Sequence, residues 1–232
     1  MMKMRLGNTM EEYSGSSEDK RIFAPAAQRN KQHVCDVLEK YLVNKTACTS
    51  VLEVACGTGE HTALFAASLP HLTFRPTDLT SQLFDSVIAH SAGLSNVLLP
   101  PATLDASNEE QWEALLGTHS STLRALVCIN MTHISPLAAT TGLIQAAGRY
   151  LEAGEGLLFI YGPFTVDGGK HTSESNEAFD ADLRSRNSEW GYRDIEDITR
   201  MAVAKGLVKV EIISMPANNF TLVFKRAAET LC

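Results

Sequence analysis

The sequence predicts an α/β protein: a three-layer, Rossmann-like arrangement on a largely parallel sheet that closes with an antiparallel pair. Three observations carry this. Five strand-like apolar runs between residues 51 and 164 are separated or followed by helix-like segments. The stretch VLEVACGTGEHTALFA, residues 51–66, runs a strand into a Gly-Thr-Gly elbow and then into a helical pattern, which is how a parallel α/β domain builds a nucleotide pocket. Near the end, LVKVEIIS and NFTLVFKR alternate in period two about the turn MPANN. Together these give a mixed sheet of seven strands in the order 3-2-1-4-5-7-6, with only the last-inserted strand antiparallel.

Taken in order, the elements begin after a Ser-, Glu- and Lys-rich start. Residues 1–20 offer little to bury and read as a flexible tail, leaving residues 21–232 as one domain. In QHVCDVLEKYL, Val34, Val37, Leu38 and Leu42 recur at helical spacing. Residues 51–56 form the first strand, and residues 60–69 the first crossover helix, stopped by Pro70. LTFRPTD is the second strand, although Pro76 cannot donate to a ladder and belongs near a strand end or bulge. Thr80 is placed to cap a helix burying Leu83, Val87 and Ile88. NVLLPPATLD supplies a short third strand, NEEQWEALL a helix and TLRALVCIN a fourth strand apolar throughout its middle, as for one buried on both faces. Ser135 and Pro136 suit the start of the helix that ends before Gly154, and GLLFIYGPF is the fifth strand. HTSESNEAFDADLRSR, capped by Thr172 or Ser173, offers only Phe179 and Leu183 for burial and suits a lid or pocket wall. RDIEDITRMAVAKG is an amphipathic helix with Asp194 as cap and Gly206 as stop.

Composition limits the function classes. The chain has 232 residues with 44% hydrophobic content, enough for one substantial core. A net charge of -7 argues against a broad nucleic-acid surface, which needs Lys and Arg at the phosphates. Cys35, Cys48, Cys56, Cys128 and Cys232 are scattered with no C-x-x-C pair, which suggests neither a disulfide framework nor a metal site and fits a reducing compartment. No stretch approaches the roughly 20 apolar residues of a membrane span. The start has no secretory-type apolar core, so the expectation is a soluble cytoplasmic or nuclear protein.

At the elbow, a G-x-G-x-x-G fingerprint would read Gly57, Gly59 and then Thr62, so the third glycine is missing. Glu53 adds a carboxylate that would repel a pyrophosphate but suit a cation, and S-adenosylmethionine carries a sulfonium and an ammonium with no phosphate. Asp78 falls 21 residues beyond Gly57, where a carboxylate accepting both ribose hydroxyls is expected. Asp105, in ATLDAS, is placed to accept from an adenine amino group. Each acidic residue also has a plainer reading as a strand-end, cap or turn residue.

On these residues the sequence resembles the class I methyltransferases, departing at Ala55, where many members have glycine. More specifically it is similar to the methyltransferase-like protein 26 group and its bacterial relatives, through FAPAAQRN, LEVACGTGEHTALFA, INMTHISP, AAGRYLEAGEGLLFIYGPF, HTSESNEAFDADLRSR, WGYRDIED and MPANNFTLVF. The resemblance covers residues 21–226. It implies a seven-stranded class I methyltransferase fold and an adenosylmethionine site, and brings no methyl acceptor with it. The expected cofactor-binding set is Arg29, Glu53, Ala55, Gly57, Gly59, Asp78, Leu79, Asp105, Ala106 and Asn130, with Arg29 and Asn30 reaching back toward the cofactor carboxylate.

Asn130 and His133 follow the fourth strand, where such folds place ligand-facing residues. His133 reads either as a base or as a satisfied histidine near a helix cap, and Tyr161 either as an orienting residue or as a buried tyrosine. His171 lies in the expected lid. Three function classes stay open at this stage: a methyltransferase acting on a small molecule or protein side chain, a non-catalytic adenosylmethionine-binding module, and a nicotinamide-dependent oxidoreductase.

Overall fold

The computed structural model of the protein describes residues 2–4 and 13–15 as backbone, and residues 19–44, 46–117 and 123–228 in full. Most of the tail expected over residues 1–20 lies outside the described residues. Within it, β1 (Met2–Met4) pairs antiparallel with β2 (Tyr13–Gly15). The chain divides into two compact units, Met1–Leu104 and Asp105–Cys232.

In the first unit, α1 (Pro25–Leu42) begins earlier than the apolar spacing indicates, because Pro25 sits at the first helical turn, where its missing N–H costs nothing. It buries Val34, Val37, Leu38 and Leu42. Then come β3 (Ser50–Val54), α2 (Glu60–Ser68), β4 (Thr73–Asp78), α3 (Phe84–His90) and β5 (Ala102–Thr103). Phe65 and Phe74 are fully buried, with ring centroids 6.4 Å apart.

Pro76 lies inside β4 rather than at its end. The Phe74 N–H points to Asn96 on the β5 side, so by strand alternation the Pro76 nitrogen faces that side too. There the partner is interrupted: after the bridge at Val97, β5 resumes only opposite Thr77. The missing donor therefore falls in a gap of the ladder. The Thr80 cap is not realised either. The helix starts at Phe84 after Leu83, and Ile88 is exposed while Val87 is buried.

The second unit holds α4 (Glu109–Leu116), β6 (Ala125–Ile129), α5 (Leu137–Tyr150), β7 (Leu157–Gly162), β8 (Phe164–Thr165), α6 (Glu174–Arg186), β9 (Arg193–Asp194), α7 (Ile195–Ala204), β10 (Leu207–Met215) and β11 (Asn219–Arg226). Asn108 caps α4, accepting from the Gln111 N–H, while Ser173 caps α6 and Asp194 caps α7. Ser135 does not cap α5: its hydroxyl donates back to the Met131 carbonyl, and Pro136 precedes the first turn.

The sheet has seven strands in the order β10-β11-β7-β6-β3-β4-β5. Counted within the sheet this is the expected 3-2-1-4-5-7-6. β11 runs antiparallel to both β7 and β10, whereas β3 with β4, β4 with β5, and β6 with β7 are parallel. β6 and β7 are buried at every position, as apolar runs between covered faces must be. Among the described residues no helix is long and apolar enough to cross a membrane.

Candidate functional site

The first unit builds the elbow. β3 ends at Val54, and the chain turns through Ala55, Gly57 and Gly59 with φ of +60°, +55° and +87°. Ala55 therefore occupies a left-handed conformation that glycine favours, at a strain of about 1 kcal/mol. A Cβ at Gly59 would stand 2.6 Å from the Val87 backbone, so only glycine lets α3 lie against the turn. A Cβ at Gly57 would meet nothing within 4 Å, so the loop backbone is bare on that side. The Gly57 N–H donates to Asp78 Oδ2 at 2.9 Å, which ties the end of β4 to the elbow. Burial pushes the Asp78 carboxyl up, against hydrogen bonds from the Gly57, Thr80 and Leu79 backbone that favour the ionised form.

Glu53 is 1% exposed, and the Thr62 hydroxyl donates to its carboxylate. Desolvation raises its pKa to about 8 against that bond, and nearby Asp78 adds to the rise. Thr62 thus holds Glu53 from the position where a dinucleotide elbow would have its third glycine. Glu60, also buried, accepts from the Ala24 N–H at 2.7 Å and from Thr58, Gln28 and Lys31. Ser86 accepts from the Ile22 N–H and donates to the Thr58 carbonyl at 2.8 Å. FAPAAQRN is by this means strapped to the elbow. Neither Glu60 nor Ser86 was singled out from the sequence, where each reads as an ordinary helix residue.

The other expected cofactor residues differ in setting. Arg29 is exposed on α1, while Asn30 is buried and its Oδ1 bonds His61 Nε2 at 2.9 Å. Leu79 is 64% exposed beside Asp78. In the second unit Asp105 accepts from the N–H and hydroxyl of Ser107, closing its own turn. The Ala106 carbonyl accepts from the Trp112 indole at 3.0 Å.

The loop after β6 is the second feature. Asn130 takes φ of +58°, which its side chain tolerates better than most, and its N–H donates to the Tyr161 carbonyl at 2.9 Å. Tyr161 is buried on β7, in register with Ile129 and Thr221. His133 is 5% exposed, and its Nδ1 has no hydrogen-bond partner among the described residues. Burial first, then the Arg193 charge, lower its pKa to about 4, so it is neutral near pH 7. Its ring meets Phe179 and Tyr192 edge-on at 6.1 and 6.2 Å.

WGYRDIED, which carries the resemblance but was given no role from the sequence, fixes this loop. The Gly191 N–H donates to the His133 carbonyl at 3.0 Å. The Arg193 guanidinium donates to the carbonyls of Thr132, Ser135 and Glu189. The Tyr192 N–H donates to Asp180 Oδ1 at 2.6 Å, and Asp180 also accepts from Arg184 and pairs with His171 Nε2 at 3.0 Å. The polar helix α6 is therefore anchored by buried Asn176 and Asp180 as well as Leu183.

Solved structures with the same fold include methyltransferases. They include an O-methyltransferase family protein from Burkholderia thailandensis, with a TM-score of 0.70 and 17% identity over 88% of this chain and 58% of that one. An O-methyltransferase family 2 protein from Planctomyces limnophilus, in complex with apigenin, gives 0.68 and 15% over 87% and 58%. Human N-acetylserotonin methyltransferase in complex with SAM gives 0.63 and 8% over 88% and 53%. This chain thus spans a little over half the length of the solved chains it matches. At these identities the likeness establishes the fold: Rossmann-like, of the class I methyltransferase type. By sequence the chain belongs to the family described as protein of unknown function, DUF938, which matches residues 21–226.

Proposed function

We propose that this protein is an S-adenosylmethionine-dependent methyltransferase acting on a small molecule or a protein side chain, with residues 21–232 as one domain of the methyltransferase-like protein 26 group. The carrying observation is the clamp between the Gly57 N–H and Asp78 beside a bare turn. It fits an adenosyl ligand: Asp78 retains acceptor capacity for ribose hydroxyls, the turn leaves room for close approach, and buried Glu53 suits a cation. Leu79, Asp105 and Ala106 would border the adenine, and Arg29 and Asn130 would hold the methionine end. When bound, this donor supplies an already activated methyl group. The protein's own work is then to orient a nucleophile and exclude water, and His133 and Tyr161 are the residues assigned to the acceptor. The Planctomyces neighbour with apigenin supports a small-molecule acceptor.

The second reading is a binding module without transfer, favoured by the closure of His133 Nδ1 beneath neighbouring side chains. An oxidoreductase fits least, because Thr62, bonded to Glu53, stands where a dinucleotide elbow would have its third glycine, and the sheet ends in an antiparallel pair.

Calorimetry with adenosylmethionine, adenosylhomocysteine, NADH and NADPH tests the proposal. Both adenosyl ligands are expected to bind and neither nicotinamide. Two charge-assisted bonds are worth about 1.5 to 3 kcal/mol each before desolvation, so Asp78→Ala should weaken adenosylmethionine by about tenfold or more. Parent-like affinity in a folded Asp78→Ala would remove the proposed site.

A further inference from the structure

The loop from Asn130 to Ser135 keeps a shape that its own side chains do not explain. Asn130 takes a φ of +58°. The Thr132 hydroxyl and His133 Nδ1 are both buried without a hydrogen-bond partner among the described residues. A buried polar atom left unpaired costs free energy, so a loop at liberty would turn these two groups toward water or a carbonyl. The loop's own bonds, from the Ile134 N–H and the Ser135 hydroxyl to the Met131 carbonyl, close one turn and leave both groups unmet.

The restraint comes from a segment nearly 60 residues away. Arg193 Nε donates to the Thr132 carbonyl at 3.1 Å, and Nη2 donates to the Ser135 carbonyl at 2.6 Å and the Glu189 carbonyl at 3.0 Å. The Gly191 N–H takes the His133 carbonyl at 3.0 Å. Between these two residues the Tyr192 N–H is held by Asp180 at 2.6 Å, so they act from a base anchored on α6. All three Arg193 bonds go to neutral carbonyls, and burial lowers its pKa. A half-buried cation without a bonded carboxylate is poorly placed for stability. What the guanidinium supplies is a planar fork that fixes several acceptors at set angles, which a lysine ammonium cannot do.

We propose that Arg193 is a positioning residue: by holding the Thr132 and Ser135 carbonyls it keeps the loop after β6 in an unrelaxed form, with Asn130 and His133 presented at the end of that strand. The shape of the loop stands on the geometry alone, while what it presents rests on the methyltransferase reading. Under that reading Asn130 serves the methionine end of the donor and His133 the acceptor, and Arg193 acts on both through the backbone.

The test uses the full chain with isotopically labelled histidine, the His133 ring signals being assigned by their loss in His133→Gln. The parent is compared with Arg193→Lys, which keeps the charge and loses the fork, and with Arg193→Gln, which loses both. Phe65→Leu is the control, a core change in the first unit where Phe65 packs on Phe74. In the parent His133 has its pKa lowered to about 4, by burial first and then by the Arg193 charge, against the opposing charge of Asp180. Arg193→Lys is expected to move the ring signals at pH 7 and to raise the His133 titration by about one pH unit or more, because a relaxed loop lets Nδ1 meet water. Arg193→Gln should raise it at least as far, and Phe65→Leu should leave it unchanged. Parent-like titration in Arg193→Lys would mean that Arg193 acts on the ring by charge alone, which overturns the proposal. An equal shift in Phe65→Leu, or failure of both Arg193 variants to fold, would make Arg193 a structural residue and overturn it too. Calorimetry with adenosylmethionine separates the two readings. No binding by the parent removes the methyltransferase and leaves the loop to the histidine signals. If the parent binds, Arg193→Lys is expected to weaken the donor by about threefold or more through Asn130, and parent-like affinity would overturn the positioning of that residue.

Discussion

Thr62 shows how a single residue redirects an elbow. A glycine at this position would let helix and strand pack closely for a dinucleotide; a threonine instead delivers a hydroxyl to a carboxylate that the fold has taken out of water. Since burial raises Glu53 to about 8, most of it is protonated at pH 7 in the free protein. A cationic ligand at Glu53 favours the ionised form and must displace that proton. Adenosylmethionine binding at pH 7 is thus expected to release up to about one proton, detected as a dependence of the calorimetric heat on the buffer's ionisation enthalpy. Glu53→Gln should bind without that release and lose more affinity for adenosylmethionine than for the neutral-sulfur adenosylhomocysteine. Equal release in both proteins would assign the proton elsewhere.

At the scale of the element, α6 is the informative case. Its residues are too polar for a helix held by apolar burial, and the sequence suits a lid. The helix is nonetheless docked, through Asp180 accepting from the Tyr192 N–H, Arg184 and His171. Polar anchors are cheaper to open than a fully apolar face, because exposed donors and acceptors regain water. Hydrogen exchange over residues 165–186 is therefore expected to be faster than in β3, β4, β6 and β7, and to slow when ligand binds. Asp180→Ala leaves the Tyr192 N–H unpaired, which costs about 1 to 3 kcal/mol. It should speed exchange in α6 while sparing β6 and β7, and uniform acceleration across all of them would instead mark α6 as part of the main cooperative unit.

Across the whole molecule, buried titratable groups set the pH range of stability. His61 and His133 are held neutral by burial, with pKa values lowered to about 3 and about 4. The unfolded chain takes up their protons below about 6.5, so stability falls as pH drops from there toward 4, by roughly 1.4 kcal/mol per pH unit for each group. Asp180 and Asp194, lowered despite burial by hydrogen bonds from the Tyr192 backbone and Glu196 among others, add a further loss as pH falls below about 4. Glu53 acts oppositely: its raised value stabilises the fold at low pH, and that contribution fades as pH rises through about 8. Chemical denaturation across pH should show a maximum near pH 6 to 7, and Glu53→Gln should flatten the alkaline side. A maximum that stays below pH 5 would contradict the neutral histidines.

The sheet order was legible in the sequence because each strand carries its own record: apolar runs for the buried parallel strands, period-two alternation for the last pair, and glycine where the elbow requires positive φ. The place of Asp78 at the end of β4 was legible for the same local reason, its spacing from Gly57 being fixed by one strand-helix-strand unit. What the sequence could not supply were relations between distant segments. Asn30 reads as a helix-start residue, but α1 turns it onto His61. WGYRDIED lies nearly 60 residues past His133, yet Gly191 and Arg193 bond its loop. Gly162 lies against His133 and Asn130 only because parallel pairing sets the end of β7 beside the end of β6. Local pattern fixes which elements form and how they order, since propensity and burial act over a few residues. Which polar atoms are left without partners in the interior is decided by packing, a property of the folded chain that no short stretch contains.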